Sequence, residues 1–291
     1  MSGEILLQFL ANAIVVAALY ALLGLSFGLI YSTTQILHFA HGAIYLAAAY
    51  LFFAFHVLAA LPVPVALALA VLLAGLLGVL TMRGLYDPLL VRRASGLTIM
   101  IASLGFFIVV ENVIVLLFTN DSRVVASGAV VEGLRLGPVV VTPLQLTIVA
   151  VTAVVLGLVH LMLARSGLGR ALRGMSDDSG MAEIVGIDVR RLRYAVLGLG
   201  SMIAALAAVL VALDVGLRPT MGLQAVLVAA IAVIVGGVGP LFAGVVGGVV
   251  VGFIQNFGIL YVAPKWQNLI TFAVLIAMLL FRPAGLFGRR V

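Results

Sequence analysis

The stretch Gly96-Leu-Thr-Ile-Met-Ile-Ala-Ser-Leu-Gly-Phe-Phe-Ile-Val-Val-Glu111-Asn-Val-Ile-Val-Leu-Leu-Phe118 carries one charged side chain and is apolar on every helical face. A bilayer core of ~30 Å needs ~20 apolar residues at a rise of 1.5 Å each. A surface helix would instead show one apolar stripe. Residues 96–118 are therefore expected to span a membrane. Similar stretches cover 8–30, 62–82, 139–163, 194–213, 241–261 and 266–281. Two others are less regular. Residues 42–59 follow a polar break at Tyr31–His41, and 223–237 run into Gly236, Gly237 and Gly239, where a half-helix or re-entrant segment is an alternative. The expectation is an all-α, polytopic transmembrane bundle of eight or nine spans, a single domain over 1–291. No basic n-region or small-residue cleavage site precedes 8–30, so no removable signal peptide is expected.

Composition agrees with this reading. Of 291 residues, 65% are apolar and 9% are charged, against ~45–50% and ~25% in soluble domains. The chain has no Cys, which excludes disulfide frameworks and thiol catalysis. Lys265, after Pro264, is the only lysine, so no phosphate-cradling G-x-x-x-x-G-K-[ST] loop exists. If ATP drives this protein, another chain binds it.

The net charge of +6 would suggest nucleic acid were it not confined to short loops. Arg83, Arg92 and Arg93 lie in one loop. Arg165, Arg170, Arg173, Arg190, Arg191 and Arg193 lie in another, at 164–193, and Arg282, Arg289 and Arg290 are in the tail. Arg123, Arg135, Arg218 and Lys265 fall in loops of the opposite parity. The positive-inside rule makes the first set cytoplasmic. The C-terminus is then inside, and nine crossings put the N-terminus outside.

Small residues let membrane helices approach closely. Gly24 and Gly28 are four apart, as are Gly244, Gly248 and Gly252. These are read as helix-packing faces, with a smooth path lining as the rival reading. Gly24-Leu-Ser-Phe-Gly28 also fits the G-x-S-x-G of hydrolases, but that motif needs a strand–turn–helix setting, whereas Ser26 sits in an unbroken apolar run.

Polar groups inside the spans are the candidates for contact with solute, because a charge at mid-membrane costs about 2.5–3.5 kcal/mol on insertion scales. Glu111 shares a helix face with Ser103 and Phe107, and Asn112 adjoins it. Gln8 and Asn12 sit one turn apart in the first span, and Gln255 and Asn256 lie in the eighth. The break around His38, Phe39, His41 and Gly42 is polar without a formal charge. Non-helical backbone at membrane depth must be buried in protein or line water. Two histidines three apart, with no nearby Cys or carboxylate, are too few ligands for a metal. No metal and no catalytic residue is assigned. His56 and His160 are isolated and read as packing or interfacial residues.

The loop 164–193 holds two amphipathic stripes. Leu168, Ala171, Leu172 and Met175 form one, and Met181, Ile184 and Val185 the other. Asp177 and Asp178 can cap the second stripe, with a break expected at Gly174–Asp178 and Gly186 closing the helix. From the residues alone, this helix either lies along lipid or fits a groove on a cytoplasmic partner.

Four stretches, in order and over nearly the whole chain, resemble the permease subunits of high-affinity branched-chain amino acid ABC importers. They are Gly28-Leu-Ile-Tyr through Phe39-Ala-His-Gly42, Arg165-Ser-Gly-Leu-Gly-Arg-Ala through Gly186-Ile-Asp188, Val235-Gly-Gly-Val-Gly-Pro240 through Gly248, and Arg282-Pro-Ala-Gly-Leu-Phe-Gly288. The resemblance implies that Ala182-Glu-Ile-Val-Gly186 matches the Ala-x-x-x-Gly of a permease helix that docks on the ATPase, with Asp177, Asp178, Met181, Ile184 and Val185 around it. It implies a second homologous permease, two cytoplasmic ATPase subunits that bind ATP and Mg, a periplasmic solute-binding protein, and a multi-pass place in a bacterial inner membrane. Solute would pass between the two permeases, with the Phe39-Ala-His-Gly42 break facing the path. His38, Glu111, Gln224 and Pro240 stand where the family commonly has Asn, Gln, Lys and Ser. Relatives carry urea, short amides or aromatic acids, and the solute stays open among these and branched-chain amino acids. A stand-alone secondary transporter or channel would need several buried carboxylates or a broken-helix ion site, and Glu111 is the one buried carboxylate candidate here.

Overall fold

A computed structural model describes residues 3–125, 133–237, 239–261, 263 and 266–288. Val238, Pro264, Lys265, Arg289 and Arg290 lie outside the described residues. Helix α1 spans Gly3–Thr34 and α2 Ala40–Phe53, which runs on through a π turn at Ala54–Leu58. Helix α3, Val63–Thr81, passes through a second π turn, Met82–Tyr86, into α4, Asp87–Val91. Helix α5 covers Gly96–Phe118. Strands β1 (Leu134–Leu136) and β2 (Val139–Val141) form an antiparallel hairpin that pairs Leu134 with Val141. Then follow α6 (Pro143–Arg165), α7 (Gly167–Asp177), α8 (Ser179–Ile184), α9 (Val189–Val215), α10 (Met221–Gly236), α11 (Ala243–Gly258) and α12 (Gln267–Phe281).

Six helical segments among the described residues are long and apolar enough to cross a membrane: Gly3–Thr34, Ala40–Leu58, Val63–Val91, Gly96–Phe118, Pro143–Arg165 and Val189–Val215. The protein is a multi-pass integral membrane protein. The 96–118 expectation coincides with α5, and 42–59 gains its length from the π turn that extends α2. Several expectations need correction. The chain is not purely helical: Val139–Val141 is a strand, so the span expected over 139–163 begins at Pro143, whose fixed φ suits a first helical turn. The 241–261 stretch contracts to α11, which is 16 residues and about 24 Å long, shorter than a bilayer core. The break expected over Tyr31–His41 narrows to 35–39. Thr33 and Thr34 bond back to Leu29 and Ile30 carbonyls, which holds the helix to Thr34. Gln35 then takes a left-handed φ of 55° and ends it.

The chain divides into two compact units. One comprises residues 29–125 and 160–227. Its centre is α2, where twelve of 14 residues are buried, packed by α3, α5 and α9. Small residues bring these helices together. A Cβ on Gly78 would lie 2.6 Å from the Leu197 carbonyl of α9, and one on Gly42 would lie 2.6 Å from the Gly222 carbonyl of α10. Neither position has room for a larger side chain.

The other unit comprises residues 1–28, 126–159 and 228–291. Here α11 presents Gly244, Gly248 and Gly252 to Gly24, Tyr20 and Ala17 of α1. A Cβ on Gly252 would come 2.6 Å from Ala17 Cα. The end of the chain crosses the end of α10: Leu286 and Phe287 donate N–H groups to the Val235 and Gly236 carbonyls, each at 2.9 Å. Those carbonyls would otherwise be orphans of the last helical turn, which gives the Arg282–Gly288 motif a structural reason. The side chain of Gln8 pairs with both backbone groups of Val140, at 2.9 and 2.8 Å, and so holds the hairpin to α1.

Candidate functional site

Three places collect the polar and exposed residues singled out above. The first is the break between α1 and α2. Helix α2 begins without a side-chain cap of its own. Ser103 of α5 supplies one: its Oγ accepts the Phe39 N–H at 3.2 Å while its hydroxyl lies 2.8 Å from its own helix's Met100 carbonyl. His38 and His41 are fully buried, with ring centroids 5.6 Å apart. His38 Nδ1 and the Tyr86 hydroxyl share a hydrogen bond of 2.5 Å, and His38 Nε2 has no partner among the described residues. The structure thus brings His38, Phe39, His41 and Ser103 into one cluster and adds Tyr86, which reading the sequence missed. The π turn at Met82–Tyr86 is what aims it, because an added residue per turn shifts the face that follows. Gly42 is placed in helix packing against Gly222.

Glu111 is half-buried on the face that also carries the buried Ser103, Phe107 and Ile114. Asn112 is exposed and its Nδ2 donates to the Ile108 carbonyl of its own helix at 2.8 Å, so adjacency in sequence does not bring it to the cluster.

The second place is Gln255 on α11. Its Oε1 accepts from the Tyr20 hydroxyl of α1, and its Nε2 donates to Thr271 Oγ1 of α12 at 2.9 Å. A buried amide costs free energy unless its bonds are made. Gln255 makes them to two other helices and ties three together. Asn256 beside it is buried, with Oδ1 lacking a partner among the described residues. Neither Tyr20 nor Thr271 was marked by the sequence, since a lone hydroxyl in an apolar run has no signature.

The third place is the loop after α6. Ser166 caps α7 by accepting the Gly169 N–H at 2.9 Å, and Arg173 donates back to the Leu163 carbonyl. Gly169 sits so close to Leu163 that no side chain fits, which explains the Arg165-Ser-Gly-Leu-Gly-Arg stretch. The break expected over Gly174–Asp178 shrinks to Asp178 alone, because α7 continues to Asp177. Asp178 Oδ1 then caps α8, accepting from Gly180 N at 2.9 Å and Met181 N at 3.0 Å. At the other end Gly186, with φ +86°, closes the helix: Gly186 N–H donates to Glu183 O and Ile187 N–H to Ala182 O, each at 3.0 Å. That is the Schellman pairing, and it sets Ala182 and Gly186 four residues apart. Ala182 is buried, whereas Met181, Ile184 and Val185 are 56%, 79% and 68% exposed.

Among the described residues no group of three His, Cys, Asp or Glu could hold a metal. Gly24-Leu-Ser-Phe-Gly28 lies within α1, and Ser26 Oγ donates to Leu23 O of the same helix at 2.9 Å.

Residues 9–279 match the family described as the branched-chain amino acid transport system permease component. The chain belongs to that family. This permease is 30% identical to the high-affinity branched-chain amino acid transport system permease protein BraD of Pseudomonas aeruginosa, over 97% of the chain and 96% of BraD. It is 28% identical to LivH of Escherichia coli K12, a permease protein of the same description, with the same coverage. Among solved structures, PsaBC from Streptococcus pneumoniae in complex with Fab shares the fold, with a TM-score of 0.54 and 15% identity over 96% of this permease and 94% of that chain. The family is one of transport permease components.

Proposed function

We propose that this permease forms half of the solute pathway of an ATP-driven ABC importer in a bacterial inner membrane. A second, homologous permease supplies the other half. Two cytoplasmic ATPase subunits bind ATP and Mg, and a periplasmic binding protein delivers a branched-chain amino acid or a related small polar solute such as urea, an amide or an aromatic acid. The Arg-rich loops 83–93 and 164–193 and the C-terminus face the cytoplasm, in line with the positive-inside rule. The three shorter helices α10, α11 and α12 bring the crossings toward the eight or nine expected.

The observation that carries this reading is α8. A six-residue helix capped at both ends holds Met181, Ile184 and Val185 out of the protein while its Ala182 is buried. A short, fixed, apolar knob on a basic cytoplasmic loop suits insertion into a groove of an ATPase subunit. ATP-driven closure of the ATPases would then shift the 176–188 segment and bias two packings of the spans.

The test uses Ile184→Glu and Met181→Glu. Both side chains are exposed, so insertion and yield should match the parent protein. Loss of ATPase subunits from the purified complex, together with loss of ATP-dependent uptake, is expected. Co-purification and uptake at parental levels would overturn the docking role.

A further inference from the structure

Asp87 is the one acidic residue in the 83–93 loop, and it is turned inward. Arg190, at the start of α9, donates to Asp87 Oδ2 from Nη2 at 3.0 Å and from Nε at 3.1 Å. Tyr194, one turn further along α9, donates its hydroxyl to the same oxygen. The Asp87 side chain is 10% exposed and that of Arg190 69%. An exposed ion pair alone contributes little, but a sheltered carboxylate oxygen with three donors from one helix face is a fixed point.

This point lies between two places already described. On one side, α8 is joined to α9 by a short link at residues 185–188, closed at both ends by hydrogen bonds. Ile187 N–H returns to Ala182 O, and Asp188 Oδ1 caps α9 by accepting Arg191 N–H at 3.0 Å. Arg190 is therefore four residues from the Gly186 turn. On the other side, Asp87 follows Tyr86, whose hydroxyl holds His38 in the break before α2. Consecutive helical residues point about 100° apart, so the π turn that aims Tyr86 at the break leaves Asp87 facing α9. Two adjacent side chains thus face in two directions, one toward the docking segment's base and one toward the polar break.

We infer that Asp87, Arg190 and Tyr194 are positioning residues that pass movement of the 176–188 segment, through Tyr86 and His38, to the break at residues 35–39. The inference rests on the docking reading of α8 and adds the route by which docking reaches the pathway. The break changes its surroundings with the nucleotide state only while the Asp87 junction is intact.

The chain has no cysteine, and Leu37, inside the break, is 40% exposed. In the complete importer, Leu37→Cys gives this chain a single thiol to follow with fluorescein maleimide, and no knowledge of the solute is needed. The labelling rate is expected to differ between the nucleotide-free complex and one trapped with ATP and vanadate. Adding Arg190→Gln, whose side chain is exposed and whose loss leaves the core intact, should shrink that difference by roughly 2- to 30-fold, the range for breaking a link in a coupling path. Tyr86→Phe should do the same from the other side of the junction, and Arg190→Lys should keep part of the difference. In all three, ATPase subunits should co-purify and hydrolyse ATP. A nucleotide-dependent difference unchanged by Arg190→Gln and Tyr86→Phe, or absent in the Leu37→Cys parent, overturns the inference and leaves docking standing. Loss of the ATPase subunits from Arg190→Gln makes the junction a requirement for assembly and also overturns it. Absence of ATPase subunits from the Leu37→Cys parent complex instead removes the docking reading itself.

Discussion

At the scale of single residues, some glycines lie against backbone where no Cβ fits, and others have open space there. Gly248 lies against the Tyr20–Ala21 backbone of α1, and any Cβ there would overlap it. Gly248→Leu should destabilise the protein by about 1–3 kcal/mol or more, as forced overpacking does, seen as a lower melting temperature in detergent. Gly105 and Gly157, in α5 and α6, have open space where a Cβ would go. Their replacement by Ala should leave stability unchanged or raise it by up to about 1 kcal/mol, since Ala is the better helix former. Gln255 calls for a different experiment. Gln255→Leu removes the partner of the Tyr20 hydroxyl and of Thr271 Oγ1, and stranded buried groups cost about 1–3 kcal/mol. The four-residue glycine spacing was legible in the sequence because it is a local repeat. The Tyr20–Gln255–Thr271 set was legible only as Gln255, because its partners are 235 and 16 residues away. His38 and Ser103 were each marked, but nothing in a linear pattern joins positions across two helices.

At the scale of elements, α8 depends on its two ends. Six residues make too few helical hydrogen bonds to persist without caps. Asp178→Ala removes the acceptor for two N–H groups and should cost about 0.5–2 kcal/mol locally, read as faster amide exchange across 179–184 and weaker ATPase association. Gly186 adds a second control. Nothing stands within 4 Å of a Cβ there, so the penalty for Gly186→Val is backbone strain at positive φ, about 1–2 kcal/mol. Gly186→Asn should recover much of the function, because Asn tolerates that region better. The long helices were legible because an uncharged run of ~20 residues has few alternatives, and the cap at Asp178 was legible because capping chemistry is local. The hairpin was not: Val139-Val-Val141 is as apolar as the helix after it, and periodicity cannot separate a short strand from a helical start. The π turns were equally silent, though one of them delivers Tyr86 to His38.

At the scale of the whole molecule, the chain belongs to a family of permease components, and in the proposed importer its work enters from separate ATPase subunits. Gly75 and Gly78 of α3 pack closely onto α9, and α9 follows the loop to which the proposed function gives ATPase docking. Uptake should therefore stop when ATP is depleted with the proton gradient maintained, in vesicles carrying the complete importer. The most direct measurement is site-specific crosslinking in intact cells, from a photoreactive amino acid placed at position 181 or 184 in this cysteine-free chain. Adducts with an ATPase subunit from both positions, and none from position 105 on α5, are predicted. Adducts confined to lipid, or no adduct with any ATPase while uptake proceeds, would contradict the account.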